Sequence, residues 1–127
     1  MKYRAYVEKN DELIDEEVTI NINGVVFTGF STVCSYKIEE GKSYPVILDI
    51  TVFGNIEISE GTDGVKSLKR IDNSFKYLIS GMLNRRFIDA GIIITDEDEI
   101  FPERSKYFNK YVEIDVDRIN IEFLKED

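Results

Sequence analysis

The feature that most constrains this chain is an alternation of period two broken by one dipeptide. Val18, Ile20 and Ile22 alternate with Thr19, Asn21 and Asn23, then Asn23-Gly24 intervenes, then Val25, Val26, Phe27 and Phe30 follow. Side chains in a strand point to opposite faces in turn, so this pattern specifies a half-buried strand and no helix. Asn-Gly is the preferred pair of a type I′ hairpin turn, because both central residues take positive φ. That turn pairs Ile22 with Val25 and Ile20 with Phe27 on one face. Asn21 and Thr19 then fall opposite Val26 and Thr28 on the other, so turn chemistry and burial pattern agree.

The same period recurs along the chain. A second turn is expected at Glu39-Glu40-Gly41-Lys42, between a strand ending near Ile38 and one starting near Tyr44. Gly54-Asn55 offers another hairpin, yet pairing across it sets Val52 against Glu57 and Thr51 against Ile58. A single long strand avoids that mixture: Val46, Leu48, Ile50, Val52, Ile56 and Ile58 share one face, with Gly54 as a side-chain-free bend. Glu60-Gly61-Thr62-Asp63-Gly64 reads as a loop. Val65, Leu68 and Ile71 recur at intervals of three behind Asp63 as a cap, which predicts one short helix.

Phe75, Tyr77 and Ile79 restore a strand, and Gly81 is expected at its bend or end. Ile92-Ile93-Ile94-Thr95 is apolar on both faces and predicts a central or wholly covered strand. In the last stretch Val112, Ile114 and Val116 are apolar at even positions, while Ile119, Ile121 and Phe123 are apolar at odd ones. One extra residue near Asp117-Arg118, as in a β-bulge, keeps both triplets on the core side. The expectation is a mainly β fold: a small curved antiparallel sheet or barrel of about six or seven strands with one short helix. Its order has the general layout of a five-stranded oligomer-binding (OB) barrel, an analogy of architecture only. With 127 residues, 43% of them hydrophobic, residues 1–127 are expected to form a single domain.

Composition narrows the chemistry. The chain has no His, which removes imidazole-based triads, His-ligated metals and histidine pH switches. The glycines form neither a dinucleotide fingerprint nor a P-loop, and no cofactor is expected. Cys34 is the single cysteine, so no disulfide forms within the chain, and with no His to generate its thiolate it reads as a core or half-core residue. Met1 to Tyr6 turns acidic by Glu8 and lacks the roughly 7–15-residue apolar run of a signal peptide, and no stretch reaches the ~20 apolar residues of a membrane span. A cytoplasmic location off the membrane is expected.

Net charge is −9, unevenly spread. Residues 1–64 hold five basic and twelve acidic groups. In contrast, Lys66, Lys69, Arg70, Lys76, Arg85 and Arg86 face only Asp72 within residues 66–86. Lys69, Arg70, Arg85 and Arg86, interleaved with Phe75 and Tyr77, are the nucleic-acid-like feature, since cations and aromatics on a barrel face can track phosphates and stack bases. The commoner use of such an island is intramolecular, against the acidic first half. Tyr107, Phe108 and Tyr111, like Tyr3 and Tyr6, are candidates for partner contact, because tyrosine buries a rigid ring and keeps a hydroxyl; the bland alternative is that they cover barrel ends.

Asp96, Glu97, Asp98 and Glu99 form the densest carboxylate cluster, without the Gly and Glu spacing of an EF-hand, and read as a solvated acidic turn. Glu113, Asp115 and Asp117 alternate as strand-surface charge. The leading expectation is therefore a non-enzymatic module that binds another macromolecule, a basic protein first, in the manner of an inhibitor or immunity-type protein. The alternative is an OB-like barrel binding a ligand or single-stranded nucleic acid through Lys66–Arg86.

Overall fold

The computed structural model describes residues 1–11, 13–32, 34, 36–61 and 64–125. Among these, β1 (Tyr3–Asn10), β2 (Glu17–Ile22), β3 (Val25–Ser31) and β4 (Ser43–Thr51) form one run of strands, and β11 (Arg118–Phe123) joins them from the C-terminal end. β1 pairs with β2, β2 with β3, β3 with β11, β11 with β4, and β4 with β1. Five strands thus close into a barrel, as expected. In chain order the ring runs 1-2-3-5-4-1, and everything from β5 to β10 is inserted between its fourth and fifth strands.

The β2–β3 hairpin has the expected register, Ile22 opposite Val25 and Ile20 opposite Phe27. Asn23 (φ 52°) and Gly24 (φ 91°) occupy the turn in the positive-φ region. Ala5, Val7, Val18, Ile20, Ile22, Phe27, Val46, Leu48, Ile50, Ile119, Ile121 and Phe123 fill the barrel. The seam between β3 and β11 is short: among the described residues Asn120–Phe30 and Ile121–Ser31 are partnered in parallel, and the Thr32 amide donates to the Ile121 carbonyl at 3.1 Å. The insertion helps there: the Thr28 amide donates to the Tyr77 hydroxyl at 2.8 Å.

The insertion comprises β5 (Glu57–Glu60), β6 (Ser67–Arg70), β7 (Tyr77–Leu83), β8 (Phe87–Asp89), β9 (Ile93–Thr95) and β10 (Tyr111–Val116), with a kinked 3₁₀ segment over Phe101–Tyr107. β7 and β10 are its centre, with β5 beside β10 and β6 and β8 beside β7. Ile79, Leu83, Ile88, Ile92, Ile94, Phe101, Val112 and Ile114 form its buried side, continuous with the barrel core. β9 lies between β8 and β4, as a covered strand should.

Several local expectations are corrected. The long strand over residues 44–58 is two strands: β4 stops where the Asp117 amide takes the Thr51 carbonyl (3.0 Å) and the Asp117 carboxylate takes the Phe53 amide (2.6 Å). The chain then bends at Gly54 (φ 102°) and re-forms as β5 against β10. The helix expected around Val65–Ile71 is strand β6, because Leu68 and its neighbours find hydrogen-bond partners on β7, and Val65 is 52% exposed. Its proposed cap, Asp63, lies outside the described residues. The one short helical segment falls instead at Phe101–Tyr107, where Pro102 suits a first helical turn.

Gly81 does not end its strand but sits in the middle of β7, where a Cβ would lie 2.2 Å from the Asp89 carbonyl oxygen. The Glu39–Lys42 turn forms, yet among the described residues no strand ends near Ile38; Gly41 and Lys42 exchange backbone hydrogen bonds with Val7 of β1 instead. The phase slip near Asp117 is a one-residue break between β10 and β11, which pair with different strands, and both apolar triplets are buried.

Candidate functional site

Part of the basic segment is folded onto its own protein, through Arg70 and Lys66 of its six cations and through its aromatic residues. Arg70 donates to Glu17 at 2.9 Å and to the carbonyls of Asn73 and Ser74, which holds the β6–β7 turn against the start of β2. Lys66 pairs with Asp89 at 2.9 Å. Phe75 packs edge-on against Phe30 of β3, with centroids 5.4 Å apart, and Tyr77 meets Phe27 at 6.5 Å. Lys69 points outward from the edge strand β6. The aromatic residues that made this segment resemble a base-stacking surface are therefore turned onto the barrel.

Arg85 and Arg86 lie apart from that group. They line an open cleft of about 440 Å³ with Thr95, Asp96, Glu97 and Glu99. Two regions singled out separately in the sequence thus meet in one place, and no ion pair joins them among the described residues. The acidic turn is not uniformly solvated: Asp96 is 8% exposed, and its Oδ2 accepts the Phe101 amide at 2.6 Å, anchoring the 3₁₀ segment. Its Oδ1 is buried without a hydrogen-bond partner among the described residues. Glu97, Asp98 and Glu99 are exposed. Among the described residues no three His, Cys, Asp or Glu side chains converge to hold a metal ion.

Tyr107 and Phe108 are half-buried against the core, and Lys106 stands over the Tyr107 ring at 5.0 Å. The Tyr111 ring lies against Gly64. Tyr107 lines a different cleft from Arg86, beside Ile56 and Ile58. Of the N-terminal pair, the Tyr3 hydroxyl accepts the Ile93 amide at 2.7 Å, and Tyr6 is 42% exposed.

A second site had no place in the sequence reading. At one end of the barrel an open groove of about 580 Å³ runs between the β1–β2 loop and the segment after β3. Val18, Phe30, Cys34, Tyr36 and Ile38 give it apolar walls, and Asp11, Asp15 and Glu16 line its rim, with Lys37 the cation that joins them. The Asp11 carboxylate accepts the amides of Leu13 (2.8 Å) and Ile14 (2.9 Å), and those donors hold its pKa below the ordinary carboxylate value. That loop presents Leu13 to solvent at 94% exposure, with Ile14 at 43%. Two adjacent apolar residues inside the acidic run Asp11-Glu12-Leu13-Ile14-Asp15-Glu16-Glu17 were the available signal.

Asp49 is also notable. It faces outward from β4 between its partners Thr95 and Asn120. Burial pushes its pKa up to about 6; Asn120 opposes this by hydrogen bonding, while Glu97, Asp98 and Glu122 add to the rise.

No helix among the described residues is long and apolar enough to cross a membrane. No curated protein and no solved structure matches the chain. A family model does match, over residues 1–124, and the chain belongs to that family, described as uncharacterised conserved protein UCP019853.

Proposed function

We propose that this protein is a non-enzymatic binding module whose acidic half meets a basic protein, in the manner of an inhibitor or immunity-type protein that masks a basic enzyme. The observation that carries this reading is how the charge is disposed. Arg70 and Lys66 of the basic segment are engaged by Glu17 and Asp89, whereas the carboxylates of Asp15 and Glu16 are exposed with no ion pair among the described residues. At a net charge of −9 these free carboxylates steer a cationic partner and speed its encounter at low salt. The single free cysteine suits the reducing cytoplasm as the place of action.

The test is capture from native host extract at low and high salt, with the bound material assayed for protein and for nucleic acid. A basic protein retained at low salt and released at high salt is the expected result. Capture that does not weaken with salt, or no captured protein, sinks the reading.

A second reading keeps a ligand or single-stranded nucleic acid on Arg85 and Arg86, because their cleft is open and their guanidinium groups have no ion pair among the described residues. Charge reversal at Lys69, Arg70, Arg85 and Arg86 then abolishes oligonucleotide binding. Unchanged affinity removes that surface.

A further inference from the structure

We infer that the groove at the barrel end is the docking site for a Lys/Arg-rich segment of a partner protein that brings an apolar side chain between those cations. This rests on the protein-binding reading above and names where and what it binds. The groove has the two chemistries such a segment needs: buried or half-buried apolar side chains, and carboxylates of which those of Asp15 and Glu16 are exposed. Its walls are apolar, from Val18 of β2, Phe30 of β3 and Tyr36 and Ile38 of the segment after it. Its rim carries Asp11, Asp15 and Glu16, opposed by Lys37.

An apolar floor with a charged rim is the layout of an energetically effective contact, since the buried centre supplies most of the affinity and the rim sets orientation and partner choice. A volume of about 580 Å³ accommodates one or two large side chains, within the ordinary range of binding clefts. A purely acidic occupant is repelled by the rim, and a purely polar one leaves the walls unused.

Leu13 belongs to the loop that supplies Asp11, Asp15 and Glu16 to the groove. It stands 94% exposed on the loop that forms one bank of the groove. A leucine in water at full exposure forgoes roughly 2 kcal/mol of burial free energy. The loop does not let it collapse, because Asp11 fixes the amides of Leu13 and Ile14 and the Glu17 amide donates to the Ile14 carbonyl at 3.1 Å. A tip held in this way loses little further entropy when a partner covers it. Asn10, at the β1 end of that loop, donates through Nδ2 to the Ile38 carbonyl of the opposite bank at 2.8 Å, tying the two sides together.

The experiment uses the full chain and a labelled decapeptide of alternating Lys and Leu, with oligolysine of equal charge and a Glu/Leu peptide as comparisons, read by fluorescence anisotropy and by amide shift mapping. The Lys/Leu peptide is expected to bind with amide shifts centred on residues 10–18 and 30–38, more tightly than oligolysine and with affinity falling as salt rises. The Asp15→Lys/Glu16→Lys double variant, whose side chains are exposed and leave the fold alone, should lose roughly tenfold or more. Leu13→Asp should weaken binding by a smaller factor. Oligolysine binding as tightly as the Lys/Leu peptide, shifts that map elsewhere, or no binding overturns the inference. Extract capture by wild type and the double variant separates the two proposals. A basic protein retained equally by both overturns the groove while the acidic-module reading stands; failure of wild type itself sinks that reading.

Discussion

The barrel and its insertion use the same alternating strands but deal with strand edges in opposite ways. The five barrel strands are six to nine residues long, and each has a neighbour on both sides. Closure removes free edges, so the barrel needs no other device against sheet-to-sheet aggregation. Among the described residues the insertion keeps two edges, β5 paired with β10 alone and β6 with β7 alone, each four residues long. Charge guards them: Glu57 and Glu60 on one, Lys69 and Arg70 on the other. The insertion also leans on the barrel through Tyr77, Phe75 and Arg70. A closed ring satisfies its own strand edges, whereas an open sheet of short strands borrows its order from what it packs against, and here Tyr77 of that sheet in turn braces the ring.

The sharpest way to test that contrast is to place a methyl group at each region's crowded glycine. Gly81→Ala sets a Cβ 2.2 Å from the Asp89 carbonyl oxygen, a backbone atom that cannot rotate aside, and should cost about 3 kcal/mol in urea unfolding. Gly29→Ala meets the Ile121 side chain at 2.7 Å and the Ile119 carbonyl at 2.9 Å, and because the isoleucine can partly yield it should cost about 2 kcal/mol. Hydrogen exchange adds the regional reading: Gly81→Ala should lower protection in β7 and β8 more than in the β2–β3 hairpin. Equal loss everywhere would show that the two regions unfold as one.

Tyr77→Phe probes the joint itself. Removing the acceptor of the buried Thr28 amide should cost about 1–2 kcal/mol and accelerate exchange at Thr28 first. Unchanged exchange there would show that the ring closes without help from the insertion.

Asp49 couples the regions to pH. Its folded pKa of about 6 lies above the ordinary value of 3.8, so folding favours the protonated form. The associated stability is fully present below pH 3.8 and is lost as pH rises through about 6. Asp49→Asn should flatten this slope and, after allowance for solvent screening at a half-buried site, gain roughly 1 kcal/mol over wild type at neutral pH. A wild-type stability that does not fall between pH 4 and 6 relative to the variant would contradict the assignment. The smallest effect is expected from Arg70→Met, about 0.5–1 kcal/mol by thermal melting, since its bridge to Glu17 is only partly buried.

Legibility in the sequence cuts across that division: β1 of the barrel shows no clean alternation, whereas β7, β9 and β10 of the insertion read as strands. The β2–β3 hairpin was readable to the residue because Asn23-Gly24 fixes the register locally and the alternation agrees with it. β8 was missed, and β6 was mistaken for a helix, because three or four residues do not display a period, and Val65, Leu68 and Ile71 happen to fall at helical spacing. The break at Gly54 was read as a curve because nothing local shows that Asp117, some sixty residues later, takes the Phe53 amide. The basic island was readable as charge but not as a contact, since its pairing with Glu17 depends on where β2 lies. Leu13 and the groove were not found: an acidic loop looks like any solvated turn until Phe30, Tyr36 and Ile38 are seen beside it.

By itself the sequence determined a mainly β chain with one unambiguous hairpin, an acidic first half, a basic island and no imidazole chemistry. These are properties of neighbouring residues, set by backbone periodicity, turn conformation and side-chain type. Only the tertiary structure decided that β11 closes a five-strand ring after a six-strand insertion, that Arg70 and Lys66 pair with Glu17 and Asp89, and that exposed carboxylates line a groove with apolar side chains. Those outcomes depend on contacts between residues tens of positions apart, which burial selects and no local pattern encodes.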